Sequence, residues 1–214
     1  MKKKTLQSIV RFLLRTLTDT EYKGIENVPA TGGIIFAINH LSYFDTPLVL
    51  VNPVRPDVTT LVTTNYQEKF LMSWFVRTAE GIWINRDIAD FSAIRDAAHA
   101  LSKGLALGIA PEGTRSKTGA MQEAKPGTIM LAIKTGAPLV PVGIVGSEKA
   151  FHELARFRRP KLTVIFGEPF VVPTIQHGSR SKALAEWTNE LMGRIASLLP
   201  PAYLGFYADA VRDR

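Results

Sequence analysis

Residues 34–45 read Ile34-Ile35-Phe36-Ala37-Ile38-Asn39-His40-Leu41-Ser42-Tyr43-Phe44-Asp45. The unbroken apolar run predicts a buried strand, and the polar residues after it mark the edge of a sheet. His40 then emerges at the rim where α/β proteins collect ligands. An imidazole can take up a proton near neutral pH, and a carboxylate five positions on can orient it and stabilise its charged form. His40 and Asp45 are thus a candidate general base and its orienter. Five residues correspond to about 140° on a continuous helix, so the two meet only if His40 lies in the turn and Asp45 in the first helical turn. A competing reading makes Ser42 an N-cap and Asp45 its capping acid.

Around this stretch the chain alternates between two periodicities. Strand-like segments are 34–38, 59–64, 82–85, 105–110, 139–145 and 162–166, with helical patterns near 47–51, 68–79, 89–103, 128–134 and 148–157. The alternation predicts an α/β fold, a mostly parallel sheet flanked by helices. The helix over 89–103 should bury Phe91, Ile94, Ala98 and Leu101. A last helix over 181–198 should use Leu184, Trp187, Leu191, Ile195 and Leu198 before Pro200-Pro201 stops it. Two prolines in Pro138-Leu139-Val140-Pro141 suggest an edge, a bulge or a shaped wall.

The 214 residues, 46% of them hydrophobic, are enough for one substantial core. The absence of cysteine excludes disulfides, thiolate nucleophiles and thiolate metal sites. A net charge of +7 favours anionic partners without choosing among nucleic acid, lipid and phosphorylated substrates. Of that excess, +4 lies within residues 1–23, where Leu6, Ile9, Val10, Leu13, Leu14 and Leu17 recur at helical spacing among Arg11 and Arg15. The arginines interrupt what a secretion signal would keep apolar, and no apolar run reaches the roughly 20 residues of a membrane span. The expected organisation is a basic amphipathic membrane-surface helix at 1–23 and one α/β domain at 24–214. The tail at 202–214 is ambiguous.

Two further stretches carry chemistry. Gly81-Ile82-Trp83-Ile84-Asn85-Arg86 ends a short strand in a guanidinium suited to phosphate, although many strands end in arginine for solubility. Pro111-Glu112-Gly113-Thr114-Arg115-Ser116 follows an apolar strand and combines a permissive glycine, two hydroxyls and a phosphate-matching charge. Glu112 could hold an arginine or bind a substrate hydroxyl. Lys125, in Lys125-Pro126-Gly127, could add an ammonium or be a solvated loop lysine. Phe70, Leu71, Trp74 and Phe75 are candidates for an apolar groove, against the commoner reading of such a stripe as core.

In order and content these blocks resemble the glycerolipid acyltransferase family, especially the 1-acylglycerol-3-phosphate acyltransferases. His40 through Asp45 is similar to the family's His-x4-Asp block, 81–86 to its second, 112–116 to its third and 138–141 to its fourth; the likeness spans about 24–170. Ala110 departs from it, standing where many members carry an aromatic residue. The resemblance implies that His40 is the base on an acceptor hydroxyl and Asp45 its orienter. It also implies that Arg86, Glu112, Gly113, Thr114 and Arg115 bind the acceptor's glycerol phosphate.

The implied reaction is transfer of a fatty acyl group from acyl-CoA or acyl-carrier protein to a lysophospholipid, giving phosphatidic acid. No cofactor is expected beyond the donor itself. The four histidines are scattered and no carboxylate cluster has ligand spacing, so no metal is expected either. There is no Gly-x-Ser-x-Gly elbow, so direct transfer is favoured over an acyl-enzyme. The expected setting is peripheral, on an anionic membrane at the cytoplasmic face. Thioester or lipid hydrolysis, another acceptor such as glycerol 3-phosphate, and a basic membrane-binding domain without catalysis stay open. Nucleic acid is disfavoured, because the aromatics are not interleaved with basic residues.

Overall fold

Ile34–Ile38 forms a strand buried along its whole length. The structure, a computed structural model, describes residues 1–174 and 180–209. Residues 175–179 and 210–214, the latter part of both the expected domain and the ambiguous tail, lie outside the described residues. The elements begin with helix α1 Lys3–Leu17, strand β1 Asp19–Lys23, strand β2 Ile34–Ile38, helix α2 Asp45–Leu50 and strand β3 Val58–Thr63. They continue with α3 Phe70–Thr78, β4 Ile82–Ile84, α4 Phe91–Ser102, β5 Ala106–Ile109 and α5 Gly127–Thr135. The last are β6 Leu139–Val145, α6 Ala150–Ala155, β7 Lys161–Phe166 and α7 Arg180–Ala196.

Among the described residues these strands form one seven-stranded sheet in the order β1-β7-β6-β2-β5-β3-β4. The β6–β7 pair is antiparallel and the other pairs are parallel. This is the expected α/β class, a mostly parallel mixed sheet between helices. Two cores cover it. One packs Phe36, Ile38, Leu48 and Phe166 with Leu6 and Leu14 of α1; the other packs Ile35, Leu107, Ile129 and Leu139 with Leu191 and Ile195 of α7. Because β2 lies in the middle of the sheet, both of its faces are dry, which is why its sequence runs apolar without alternation.

Several expectations need correction. The segment 1–23 is not a separate helical appendage: the helix stops at Leu17, and β1 pairs with β7 from Asp19↔Lys161 to Lys23↔Ile165. Strand β1 alternates exposed and half-buried positions, as an edge strand does, and carries too few apolar residues to be read as one. Helix α1 is fastened to the domain as well, because buried Gln7 donates to Leu50 O at 3.0 Å and Pro56 O at 2.7 Å. Its apolar residues are split, with Leu6 and Leu14 inside and Ile9, Phe12, Leu13 and Leu17 outside.

Helix α4 buries Leu101 and packs Ile94 and Ala98 against the second core as expected, together with Ala93, Ala97 and Ala100, and departs from the expectation only at Phe91, which is 81% exposed. Asp90 caps this helix, accepting from Ala93 N at 3.0 Å, and the side chain at the first helical position therefore points to the rim. Strand β6 is internal rather than an edge. Pro141 is tolerated because its ladder with β7 begins only at Val142, so the missing N–H falls where that pairing has ended. In α3, Phe70, Leu71 and Trp74 are exposed rather than core, while Phe75 packs against the first core.

Candidate active site

At the end of β2 the Asn39 amide pairs with the backbone of β6 as a peptide group would. Its Nδ2 donates to Ile144 O at 2.9 Å, and its Oδ1 accepts from Ile144 N at 2.7 Å. This fixes where the chain leaves the sheet, and His40 follows. The His40 main chain is held from the 111–116 segment as well: its N–H donates to Glu112 Oε1 at 3.0 Å, and its carbonyl accepts from Ser116 N at 2.7 Å. Two sequence blocks separated by 72 positions thus form one structural unit.

Asp45 opens α2, and its carboxylate is fully buried. Its Oδ2 lies 2.7 Å from His40 Nδ1 and also accepts from Leu41 N at 2.7 Å and Ser42 N at 2.8 Å. Ser147 Oγ, in the short turn after β6, donates to Oδ1 at 2.6 Å. An ionised carboxylate can only accept, so this arrangement puts the proton on Nδ1 and leaves the Nε2 lone pair for a substrate. The imidazole is mostly enclosed, with 16% of the side chain exposed. The competing reading is realised only in part: the N-cap of α2 is Phe44 rather than Ser42, but the Asp45 carboxylate still accepts from Ser42 N, so it both closes the turn at 41–42 and holds the histidine.

His40 stands between two cavities. The larger, of about 720 Å³, is lined largely by apolar side chains such as Ile84, Phe91, Ile109 and Leu131, with Arg86 and Lys125 also on its wall. The smaller, of about 160 Å³, is lined by Tyr43, Thr46, Tyr66, Phe75, Arg86 and Arg115 among others, and among the described residues no carboxylate lines it. Arg86 donates to Gly113 O. Arg115 donates to Tyr66 OH at 3.0 Å, and its guanidinium lies 3.7 Å from the centroid of the Tyr43 ring. Partial desolvation lowers the Arg86 pKa, the Tyr66 phenol opposes that shift, and the like charge of Arg115 adds to it. Two cations near one small recess whose described lining holds no acid give it a positive potential suited to an anion.

The structure separates the remaining candidates. Gly113 has φ +74°, a left-handed conformation suited to glycine, and presents the carbonyl that Arg86 holds. Lys125 lies over that glycine and lines the larger cavity. Thr114 is exposed and lines neither cavity. Glu112 holds no arginine. It is buried, and its two oxygens accept from His40 N and from Gln122 N at 2.9 Å. Burial raises its pKa, with the Gln122 and His40 N–H groups opposing the shift. Phe70, Leu71 and Trp74 line neither cavity, whereas Phe75 borders the smaller one. Among the described residues no group of three or more histidine, aspartate or glutamate side chains could hold a metal ion.

Ser147, Tyr43 and Tyr66 were not anticipated. A hydroxyl just beyond a strand was the one available signal for Ser147, and it becomes meaningful only once β6 is known to lie beside β2. Tyr43 sits inside the His-x4-Asp block, but nothing in that block shows that its ring carries Arg115.

An imidazole held by a buried carboxylate, between an apolar cavity and a cationic recess, is an arrangement suited to acyl transfer. The chain belongs to the acyltransferase family, whose model matches residues 19–145, and it is an O-acyltransferase. It is 28% identical over 174 residues to the 1-acyl-sn-glycerol-3-phosphate acyltransferase of Bacillus subtilis, covering 81% of this chain and 84% of that one. It is also 28% identical over 135 residues to the enzyme of the same name from Borreliella burgdorferi, covering 60% of this chain but 52% of that protein's length. The crystal structure of the 1-acyl-sn-glycerophosphate (LPA) acyltransferase PlsC from Thermotoga maritima aligns with a TM-score of 0.66 and 25% identity, over 88% of this chain and 76% of that one.

Proposed function

We propose that this protein transfers a fatty acyl group from acyl-CoA or acyl-carrier protein to the free hydroxyl of 1-acylglycerol 3-phosphate, giving phosphatidic acid. The observation that carries this reading is the position of His40 between the apolar cavity and the recess near Arg86 and Arg115, whose described lining holds no carboxylate. The acceptor's phosphate sits by the two guanidinium groups, which brings its hydroxyl to His40 Nε2. As the hydroxyl oxygen attacks the thioester carbonyl, Nε2 takes its proton. Collapse of the tetrahedral intermediate breaks the carbon–sulfur bond, and the imidazolium returns the proton to the departing thiolate. Asp45 holds the imidazole in one tautomer throughout and stabilises its cationic form. The larger cavity takes an acyl chain, and Lys125 on its wall adds a cation toward the polar end.

Relatives named for 1-acyl-sn-glycerol-3-phosphate support the choice of acceptor. The same reading has the enzyme work peripherally on an anionic membrane at the cytoplasmic face. What supports peripheral attachment is the exposed row Ile9, Phe12, Leu13 and Leu17 on α1, flanked by Arg11 and Arg15. No described helix is long and apolar enough to cross a membrane. The test is to offer the purified protein acyl-CoA, or acylated carrier protein, with a panel of lysolipids and glycerol 3-phosphate, and to identify products by mass spectrometry. Phosphatidic acid from 1-acylglycerol 3-phosphate is expected. Free fatty acid formed equally with and without acceptor would replace transfer by hydrolysis.

A further inference from the structure

Phe157 is 101% exposed and has φ +57°, a conformation that helix ends normally reserve for glycine. It closes α6, with Phe157 N donating to Leu154 O at 3.0 Å and Arg158 N to Glu153 O at 2.9 Å. A phenylalanine here bears backbone strain, and its ring packs on none of the described residues. Its neighbours Arg156, Arg158 and Arg159 are exposed too. Arg159 ties the loop to the end of α1 by donating to Arg15 O at 2.9 Å and Thr18 O at 2.6 Å.

The topology places this loop at the catalytic end of the sheet. Strand β7 runs opposite to β6, so Lys161 lies near the end where β6 delivers Ser147 to Asp45. Phe151, 57% exposed, stands at the same end and packs edge-on against Phe44 and Tyr43, the ring that carries Arg115. Across the smaller recess, Phe70 and Leu71 open α3 just beyond the catalytic end of β3, at 80% and 74% exposure. Apolar side chains therefore flank the recess on two sides, and exposed arginines surround the most prominent of them.

We propose that Phe157, with Phe151, Phe70 and Leu71, forms a lipid-inserting rim that seats the catalytic end of the enzyme on an anionic bilayer. The occupant is chosen by charge: a second copy of this basic chain would bring arginines against arginines, whereas anionic headgroups neutralise them. The rim uses side chains other than those of α1, whose C-terminal end it adjoins through Arg159, and rests on the acyl-transfer reading only in what it delivers, a lysolipid that reaches His40 from the bilayer.

The test uses the full chain with phosphatidylglycerol-containing and pure phosphatidylcholine vesicles. Phe157→Asn keeps the fold, because asparagine tolerates the left-handed conformation and the lost ring packs on none of the described residues. It is expected to weaken vesicle partitioning about tenfold. Arg156→Gln with Arg158→Gln should weaken binding about fivefold per residue on anionic vesicles and change little on zwitterionic ones. Turnover of vesicle-borne lysophosphatidate should fall in parallel, while turnover of a short-chain monomeric analogue stays at the wild-type level. The proposal is overturned if Phe157→Asn leaves partitioning unchanged, or if its effect is to abolish self-association instead. Absence of product from the monomeric analogue with wild-type protein would sink the choice of lysophosphatidate as acceptor, and partitioning would still decide the rim.

Discussion

Ser147 Oγ donates to Asp45 Oδ1 at 2.6 Å from 102 positions away, and thereby completes the shell around a carboxylate that also holds His40. Ser147 is itself fully buried, so its hydroxyl has little freedom to leave. Ser147→Ala leaves an acceptor lone pair unsatisfied in a dry site and loosens the carboxylate that sets the imidazole. A hydrogen bond to a charged group contributes about 1.5–3 kcal/mol, so a fall in kcat of about tenfold or more is expected, with the acceptor KM little changed. Ser147→Thr should restore most of it. Steady-state kinetics on the two variants check this, and a change confined to KM would contradict it.

Asp45→Asn tests the charge rather than the geometry. The asparagine oxygen can keep the Oδ2 position, accepting from Leu41 N, Ser42 N and His40, while its NH₂ donates to a rotated Ser147 hydroxyl. The fold should survive and kcat should fall by roughly 10²–10⁴. Retained acceptor binding with lost turnover is the expected signature in equilibrium binding and single-turnover assays.

Arg115 is held by an aromatic face and a phenol rather than by an acid. Arg115→Gln should raise the acceptor KM about tenfold for each roughly 1.4 kcal/mol of binding lost, with donor KM unchanged. Tyr43→Leu should produce a smaller rise of the same kind, and Tyr43→Phe, which keeps the ring, almost none. Equal effects of the two Tyr43 variants would show that the phenol, not the face, matters.

Asp90 fastens the turn that carries Arg86, accepting from Asn85 N at 2.9 Å and from Ser92 Oγ at 2.7 Å as well as capping α4. The backbone N–H groups of Asn85 and Ala93 draw its pKa from 3.8 down to about 2. A carboxyl whose folded pKa is depressed stabilises the fold above its unfolded pKa, and that contribution is lost as pH falls from 3.8 through about 2. Asp90→Ala should therefore lower the melting temperature at neutral pH, and the gap to wild type should close in that acid window. Melting curves across the window check it; a gap that widens in acid would contradict the assignment.

Buried parallel strands run apolar end to end, so Ile34–Ile38 and Leu139–Val145 could be read from composition alone, and with them the α/β class. What escaped depended on neighbours. Strand β1 is polar because it has an edge to solvent, and in α4 only Phe91 was misplaced, because it stands at the first helical position right after the Asp90 cap, ahead of the turns that pack on the core. Local spacing was enough to nominate His40 with Asp45, since the turn between them is short. Ser147 and Tyr66 reach the site only through the strand order, which a list of segments does not contain. Glu112 received a ligand's role from the family resemblance, whereas burial commits its oxygens to the main chain of His40 and Gln122.

The most direct test of the central claim is acyl transfer from acyl-CoA to 1-acylglycerol 3-phosphate by His40→Ala, measured beside wild type with acceptor binding followed independently. Removing the base should abolish phosphatidic acid formation to within the uncatalysed rate while acceptor binding at Arg86 and Arg115 persists. Substantial transfer by His40→Ala would contradict the assignment of His40 as the deprotonating group.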